Sequence, residues 1–349
     1  MNHQELESTA RSLVSEGKGI LAADESFPTI QKRFDQINVN STEETRRDYR
    51  QMLFSTTGVE AFISGVILFD ETLRQSTQDG ISLSGILAEK GIVPGIKVDK
   101  GAKYMAGFLG EKITEGLDGL RDRLVEYSDL GARFAKWRAV ITIGTKIPTK
   151  SCIDANAHAL ARYAALCQEA GLVPIVEPEV LMDGDHNLQR CEEVTTLTLR
   201  RVFSELYEHR VLFEGMLLKP NMALSGKERP QQASVPEVAE ATVRCLNRSV
   251  PAAVPGIVFL SGGQSPELAT ERLNGMNAIG DHPWELSFSY GRALQQPALK
   301  AWEGKAANVS KAQAAFYHRA KCNSMARYGK WNAIVESGAT RDKSFSHIQ

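Results

Sequence analysis

The chain has 349 residues, in which 41 Lys and Arg face 42 Asp and Glu and leave a formal net charge of −1. Such a balance gives no overall basic field for nucleic acid or anionic lipid, so we expect a small-molecule partner. Hydrophobic residues make up 42% of the chain, enough for a sizeable core, yet no apolar run approaches the roughly 20 residues of a membrane span.

The five cysteines are dispersed along the chain, which predicts reduced thiols rather than a disulfide framework. The N-terminal segment, residues 1–11, is polar and contains acidic side chains, unlike a signal or transit peptide. We therefore expect a cytoplasmic protein that binds neither nucleic acid nor membrane.

Short apolar runs rich in Val, Ile, Leu and Phe, each ending in polar residues, predict buried parallel strands. In chain order the predicted strands are Gly19–Asp24, Gly65–Asp70, Val93–Asp99, Phe134–Ile143, Val173–Glu179, Gly215–Pro220, Gly256–Ser261 and Glu285–Tyr290. Segments with helical spacing lie between most of them, such as the one over Asp154–Ala170, which Gly171 closes. Strand and helix therefore alternate along the chain.

This alternation, without a Pro/Gly/Ser-rich linker, predicts an α/β fold with a single (β/α)8 TIM-barrel domain over residues 1–349. A doubly wound sheet is the alternative, but the Gly-rich phosphate fingerprint that normally follows its first strand is missing from the sequence. After the barrel we expect a C-terminal helix over Ala312–Ala326 and a polar tail over residues 331–349.

In such a barrel the chemistry lies at the carboxyl ends of the strands, whose loops form one concave mouth. The ionisable residues at these ends are Asp24, Asp70, Lys97, Asp99, Lys136, Arg138, Glu177, Glu179, Lys219 and Arg292. Lys136 and Arg138 lie two apart, as do Glu177 and Glu179, so each pair points to one face of its strand. Burying an ion without partners costs on the order of several kcal/mol. This number of charges at the strand ends therefore favours a functional site over a merely salt-bridged interior.

Lys219 ends an apolar run and precedes Pro220. An amine held among apolar strands and near Lys136 is discouraged from carrying charge, and a neutral amine can attack a ketone. The alternative, a lysine that extends from the strand end into solvent, is opposed by Glu177 and Glu179 on the preceding strand.

Two groups of phosphate-binding character occur at the strand ends. Ser261-Gly262-Gly263 follows the seventh strand and Gly291-Arg292 the eighth, the usual phosphate position of this fold. Lys97 and Arg138 supply positive charge from the third and fourth strands, across the mouth. Two separate cationic poles predict a substrate with two anionic ends, such as a sugar bisphosphate.

The motifs at these strand ends resemble those of the class I fructose-1,6-bisphosphate aldolases. The resemblance extends over roughly residues 17–330 and is carried by Leu21-Ala22-Ala23-Asp24-Glu25-Ser26, Gly65-Val66-Ile67-Leu68-Phe69-Asp70, Gly95-Ile96-Lys97-Val98-Asp99-Lys100-Gly101, Phe134-Ala135-Lys136-Trp137-Arg138, Ile175-Val176-Glu177-Pro178-Glu179, Leu217-Leu218-Lys219-Pro220-Asn221-Met222, Phe259-Leu260-Ser261-Gly262-Gly263-Gln264 and Phe288-Ser289-Tyr290-Gly291-Arg292-Ala293-Leu294.

The resemblance implies a lyase that converts fructose 1,6-bisphosphate to dihydroxyacetone phosphate and glyceraldehyde 3-phosphate in glycolysis and gluconeogenesis, without a metal or other cofactor. It implies that Lys219 forms the Schiff base, that Glu177 shuttles protons with support from Glu179, and that Lys136 polarises the carbinolamine. It further implies that Asp24 takes the proton of the C4 hydroxyl. The resemblance also implies a homotetramer, and activity on sedoheptulose 1,7-bisphosphate is an open second possibility.

The resemblance further assigns the substrate-binding residues. The ketose-end phosphate is expected on Ser261, Gly262, Gly263, Gly291 and Arg292, and Tyr290 is expected among the substrate-binding residues. The other phosphate and the sugar hydroxyls are expected on Ser26, Lys97 and Arg138, with Arg33 as a further candidate.

The chain departs from the family pattern at two places. Phe27-Pro28-Thr29 stands where many members carry Thr-Gly-Ser, so we expect an altered hydroxyl contact to the second phosphate. The chain ends in Ser346-His347-Ile348-Gln349, without the terminal tyrosine of the animal enzymes. His347 could replace that tyrosine in proton exchange, or could be a solvated tail residue.

Two other functions remain as alternatives. A metal-dependent aldolase needs about three clustered ligands, yet no histidine ends a predicted strand and His186 is the nearest in a loop. A non-catalytic sugar-phosphate-binding barrel would normally have lost the nucleophile or the proton shuttle, and both are present.

Overall fold

The computed structural model describes residues 2–338, which contain ten β-strands. They are β1 (Gly19–Ala23), β2 (Ile63–Leu68), β3 (Val93–Lys97), β4 (Ala102–Tyr104), β5 (Lys112–Thr114), β6 (Phe134–Ile141), β7 (Val173–Val180), β8 (Leu217–Leu218), β9 (Gly256–Phe259) and β10 (Glu285–Tyr290). Eight of these form a closed barrel in the order β1-β10-β9-β8-β7-β6-β3-β2, and β4 and β5 form a separate hairpin. All barrel pairings are parallel.

Thirteen α-helices lie before, between and after the strands in the described part of the chain. They are α1 (His3–Leu13), α2 (Phe27–Asp35), α3 (Glu43–Phe54), α4 (Asp70–Arg74), α5 (Leu83–Glu89), α6 (Leu120–Asp129), α7 (Lys150–Glu169), α8 (Leu188–Glu208), α9 (Val235–Asn247), α10 (Pro266–Ala278), α11 (Arg292–Trp302), α12 (Val309–Arg327) and α13 (Ala333–Ser337). Short 3-10 turns occupy Val59–Ala61, Phe213–Gly215 and Ala306–Asn308. None of these helices is long and apolar enough to cross a bilayer.

The structure confirms the predicted TIM-barrel fold and the position of each predicted barrel strand. Strand ends differ by a few residues, most of all at β8, where only Leu217–Leu218 pair as a strand. The hairpin of β4 and β5 was not predicted, because five of its six residues are at least partly exposed and it carries no long apolar run. The predicted C-terminal helix is confirmed as α12, which begins three residues earlier and ends one residue later than predicted. Of the predicted tail, residues 331–338 contain α13, and residues from 339 onward, including His347, lie outside the described part.

Two apolar clusters of the interior position the site. One large cluster fills the space between the barrel and its surrounding helices. A smaller cluster fills the amino-terminal half of the barrel, where inward side chains such as Ile20, Phe134 and Ile175 meet Leu6 and Leu13 of α1. Helix α1 thus closes the lower end of the barrel, and the mouth is left at the carboxyl end of the strands.

Small residues allow the large ring of Phe134 to enter this lower cluster. Gly95 is the cross-strand partner of Phe134, and a Cβ added at Gly95 would lie 2.3 Å from two carbons of that ring. Only a residue without a side chain fits beside Phe134 at this register.

Gly95→Ala is expected to lower the free energy of unfolding by about 1–3 kcal/mol, because the added methyl group overpacks the barrel interior. Urea denaturation measures the change. The double variant Gly95→Ala/Phe134→Leu serves as the control and should recover part of the loss, since leucine is smaller than the ring. A Gly95→Ala protein as stable as the natural chain would contradict this account of the packing.

Candidate active site

A cavity of about 1300 Å³ opens at the carboxyl end of the barrel strands. Its lining includes most of the predicted site residues, namely Asp24, Ser26, Arg33, Lys97, Lys136, Arg138, Glu177, Glu179, Lys219, Ser261, Gly262, Gly263, Gly291 and Arg292. The structure therefore brings into one cavity residues that are up to 268 positions apart (292 − 24) in the sequence.

The alternation of side chains along each strand explains this convergence. On β6, Phe134 lies in the apolar cluster inside the barrel, and Lys136 and Arg138 follow at intervals of two and line the cavity. On β7, Ile175 is succeeded in the same way by Glu177 and Glu179. The same inward face is thus apolar near α1 and charged near the mouth.

Four charged groups form a continuous chain across the floor of the cavity. Nζ of Lys219 lies 3.3 Å from Oε1 of Glu177, and Oε2 of Glu177 lies 3.3 Å from Nζ of Lys136. Nζ of Lys136 then lies 2.7 Å from Oδ2 of Asp24. The side chains of Lys136, Glu177 and Lys219 are each only 4% exposed, so solvent screens these contacts weakly. Each carboxylate thus stands beside an ammonium group.

The two ends of this chain have shifted pKa values. Burial disfavours the charged carboxylate of Asp24, but the ammonium groups of Lys136 and Lys219 outweigh it and hold the pKa of Asp24 far below its ordinary value. Burial also disfavours the ammonium of Lys136, yet Asp24 and Glu177 raise the pKa of Lys136 well above its ordinary value. At neutral pH Asp24 is an ionised acceptor of protons and Lys136 a permanent cation.

A second set of ion pairs lies beside this chain. Nε of Arg138 pairs with Oε2 of Glu179, and although burial opposes the charge, Glu179 raises the pKa of Arg138. Nζ of Lys97 lies 2.6 Å from Oδ1 of Asp99, whose other carboxylate oxygen accepts a hydrogen bond from the backbone N–H of Arg138 at 3.2 Å. Asp99 thereby links Lys97 at the end of β3 to the backbone of Arg138 within β6.

The loops after β9 and β10 form the opposite side of the cavity. Gly262 and Gly263 have positive φ angles of 43° and 81°, a backbone conformation that favours glycine and directs N–H groups to one side. Nη2 of Arg292 donates to the carbonyl oxygen of Gln264 at 2.6 Å, which ties the guanidinium to this turn. In the closed order of strands β9 lies four positions from β3, and β10 four from β6, so the two cationic poles face each other.

Arg33 belongs to the same pole as Arg292, which corrects the expectation that it accompanies Lys97 and Arg138. A Cβ added at Gly291 would lie 3.5 Å from Nη2 of Arg33, because β1 and β10 are neighbours in the barrel. Burial and the nearby Arg33 guanidinium lower the pKa of Arg292. Two close cations of this kind favour an anion between them.

Tyr290 does not lie in the cavity, which corrects its assignment as a substrate-binding residue. Its ring is fully buried in the layer between barrel and helices, and its hydroxyl donates to the carbonyl oxygen of Ala269 at 2.9 Å. Alternation along β10 explains the difference, because Tyr290 follows the inward-facing Ser289, which does line the cavity.

Thr29 is a cavity residue that sequence reasoning did not assign. Its hydroxyl lies 3.2 Å from that of Ser26, the residue that precedes α2, and both line the cavity. Phe27 instead packs edge-on against Phe69, with the guanidinium of Arg46 over its ring. A hydroxyl pair is therefore retained where the sequence departs from the family pattern, and the position of Thr29 one turn after Ser26 was the available signal.

Glu25 is a second residue whose role the sequence did not reveal. Its carboxylate is buried, pairs with Arg33 and Arg50, and accepts a hydrogen bond from Nε2 of Gln295 at 2.8 Å. Burial disfavours its charge, yet the two arginines lower the pKa of Glu25. The Glu25 carboxylate thereby fixes the Arg33 guanidinium beside Gly291.

His186, the histidine nearest the mouth in the sequence, follows β7 in a loop and is not among the residues that line the cavity. The clustered side chains of the cavity are instead lysines, arginines and carboxylates.

Comparison with known proteins agrees with this arrangement. A family model described as "Glycolytic: Fructose-bisphosphate aldolase class-I" matches residues 5–349. The chain belongs to this family. The expected family and enzyme class are thereby confirmed, and the chain is a fructose-bisphosphate aldolase of class I.

Individual relatives of this aldolase are similar over nearly their whole length. A probable class 1 fructose-bisphosphate aldolase of Xanthomonas campestris is 59% identical over 332 residues, which cover 95% of this chain and 99% of the relative. The cytosolic fructose-bisphosphate aldolase 4 of Arabidopsis thaliana is 52% identical over 346 residues, which cover 99% of this chain and 88% of the relative. The Plasmodium falciparum aldolase, solved in a ternary complex with TRAP and a small-molecule inhibitor, superposes with a TM-score of 0.94 at 52% identity, covering 95% and 96%.

The lowered pKa of Asp24 predicts a contribution to stability that is present above its ordinary value of 3.8 and is lost as the pH falls below it. Asp24→Asn removes this contribution. The difference in free energy of unfolding between the natural protein and this variant should therefore be constant from pH 7 to about pH 5 and should shrink between about pH 4 and pH 3. Urea denaturation across this pH range tests it, and a difference that grows on acidification would refute the ion-pair assignment.

Proposed function

We propose that this aldolase cleaves fructose 1,6-bisphosphate reversibly through a Schiff base on Lys219. The observation that carries the proposal is the buried chain of Lys219, Glu177, Lys136 and Asp24, in which the amine lies 3.3 Å from a carboxylate that can exchange protons with it. Such proximity of nucleophile and acid–base group is the usual arrangement of covalent catalysis.

The first half of the reaction joins substrate and enzyme. Glu177 takes a proton from the Lys219 ammonium, 3.3 Å away, and the neutral Nζ attacks the C2 carbonyl carbon of the open-chain ketose. A proton then passes from the nitrogen to the former carbonyl oxygen and gives a carbinolamine. Glu177 delivers a proton to the departing hydroxyl group, water leaves, and a protonated imine remains. Lys136 lies 3.3 Å from the other oxygen of Glu177, and its positive charge stabilises the developing negative charge on the carbinolamine oxygen.

The second half breaks the carbon–carbon bond. Asp24 takes the proton of the C4 hydroxyl, the C3–C4 bond breaks, and its electron pair moves into the iminium to give an enamine. Glyceraldehyde 3-phosphate leaves with C4 as its aldehyde carbon. Protonation of the enamine and hydrolysis of the resulting imine then release dihydroxyacetone phosphate and the free Lys219 amine. A positioned base of this kind contributes about 10²- to 10⁴-fold to the rate.

Glu179 supports this chemistry indirectly, because it pairs with Arg138 and holds the guanidinium at the mouth. Arg138 in turn places its charge beside Glu177, its cross-strand partner on β7. Glu179 is therefore proposed as a positioning residue.

The two cationic poles hold the two phosphates of the substrate. We infer that the ketose-end phosphate binds the turn of Ser261, Gly262 and Gly263 together with Gly291, Arg292 and Arg33. The other phosphate binds near Lys97 and Arg138, with the hydroxyls of Ser26 and Thr29 available for the sugar or this phosphate. A cavity of about 1300 Å³ is also compatible with sedoheptulose 1,7-bisphosphate, which is proposed as a second substrate.

The cellular setting is proposed from the relatives. We infer a homotetramer in the cytosol that takes part in glycolysis and gluconeogenesis. The inference on location rests on the Arabidopsis thaliana aldolases named cytosolic, and the inference on assembly rests on the family resemblance.

Borohydride reduction of the protein with dihydroxyacetone phosphate in the presence of EDTA is expected to leave one covalent adduct, on Lys219. The reduction traps an imine, and the chelator removes divalent ions, so a metal-dependent mechanism predicts no adduct. Mass mapping of the modified peptide locates it. Lys219→Met, whose side chain has a similar length and no amine, is the matched control and should remain unmodified. An adduct on another lysine would refute the assignment of Lys219, and no adduct at all would favour the metal-dependent enzyme or the non-catalytic binding barrel.

Lys97→Gln tests the assignment of the second phosphate. The variant should lower kcat/KM for fructose 1,6-bisphosphate by about 10- to 100-fold, as loss of a charged hydrogen bond does, and should change that for fructose 1-phosphate by less than about twofold. Steady-state kinetics with both sugars measure the contrast. Arg292→Gln is the comparison variant and should lower kcat/KM for both sugars, because both sugars carry the ketose-end phosphate. An equal loss of kcat/KM for the two sugars in Lys97→Gln would contradict the assignment of the two phosphates to two poles.

A further inference from the structure

Two imidazoles and one carboxylate converge on the outside of the barrel, where α7 packs beside α8. His158 lies on α7, Glu205 in the last turn of α8, and His209 caps the C-terminus of α8. Oε2 of Glu205 lies 3.1 Å from Nδ1 of His158 and 3.6 Å from Nδ1 of His209. Ligand atoms of all three residues lie within 4.8 Å of one another, and none of the three lines the catalytic cavity.

We propose that His158, Glu205 and His209 form a binding site for Zn²⁺ that links α7 to α8. The chemistry of the donors supports it, because two imidazoles with one carboxylate suit zinc and its neighbours among the transition metals and not Mg²⁺ or Ca²⁺. Water completes the coordination from the solvent side, where the His158 side chain is 53% exposed.

The spacing of the donors agrees with a tetrahedral ion. Zinc bonds of about 2.0–2.1 Å place neighbouring ligand atoms about 3.3–3.4 Å apart. The two distances from Oε2 of Glu205, 3.1 and 3.6 Å, bracket this separation. The donor atoms of the two imidazoles lie within 4.8 Å of each other, so the rings move closer together to seat the ion.

The carboxylate is held in position from its other side. Nη2 of Arg201 pairs with Oε1 of Glu205, and Nε of Arg201 donates to Oδ1 of Asp154 at 2.8 Å. Oε2 of Glu205 is thereby left directed at the two imidazoles. Outer contacts that orient a ligand in this way are typical of metal sites. The carbonyl-rich end of α8 at His209 adds a favourable dipole for a cation.

Binding needs a change of tautomer in both rings. With the proton on Nδ1, His158 donates to Oε2 of Glu205, and His209 donates to the Glu205 carbonyl oxygen at 2.9 Å. In the complex each proton moves to Nε2 by exchange with water, and the freed Nδ1 lone pair binds the ion. The protein gains and loses no proton, and the three protein ligands bear one negative charge.

Titration calorimetry of the tag-free, EDTA-treated and dialysed full-length chain with ZnCl₂ tests the site. The natural chain should bind one more Zn²⁺ per chain than His158→Gln/His209→Gln, and Glu205→Gln should bind that ion at least about tenfold more weakly. MgCl₂ should give no saturable binding. Cys322→Ser is the control variant, because Cys322 belongs to a separate group with His318 and Glu336 and its change should leave the proposed site intact.

Absence of saturable Zn²⁺ binding to the natural chain would overturn the proposal, as would equal stoichiometry and affinity in the double variant. Unchanged affinity in Glu205→Gln would overturn the three-ligand site. Circular dichroism and urea denaturation show that each variant is folded. The binding measurement does not use aldolase activity, so its outcome is independent of the proposed function.

Discussion

Mutual neutralisation of buried charges is the constraint on which the rest of this structure depends. Lysines and carboxylates beneath the barrel mouth are nearly inaccessible to water, and an unpaired ion there would cost on the order of several kcal/mol. The chain from Asp24 through Lys136 and Glu177 to Lys219 avoids this cost by alternating the sign of charge at separations of 2.7–3.3 Å. The same alternation keeps a carboxylate beside the amine and an ionised base beyond Lys136.

The barrel makes this arrangement possible because the inward face of its strands is apolar at the amino-terminal end and charged at the carboxyl end. Near α1 the inward residues are apolar and tightly packed around Phe134, which gives the strands a fixed register. Two or four positions further along, the same face carries the charged groups of the cavity. The packing of the lower apolar cluster therefore fixes the distances among the charged groups at the mouth. A shift of one residue in strand register would turn every side chain of that strand to the other face.

Most of the barrel and of the candidate site could be predicted from the sequence. Apolar runs located all eight barrel strands, and their polar ends located the chain of buried charges and both cationic poles. Tyr290 was misplaced because a strand-end motif was carried over whole, without regard to the alternation that turns Ser289 inward. Arg33 was assigned to the wrong pole because its assignment did not use barrel closure, which places β1 beside β10. Glu25 and Arg50 were missed because buried pairing between distant segments leaves no local pattern.

The sequence by itself determined the alternation of strand and helix, the inward or outward face of each strand residue, and the chemical types available at the mouth. These properties are local, because they depend on periods of two and 3.6 residues and on turn chemistry. Only the tertiary structure decided which side chains meet: Lys219 with Glu177, Arg33 with Gly291, and His158 on α7 with Glu205 and His209 on α8. Such contacts depend on barrel closure and helix packing, which set distances between residues far apart in the chain.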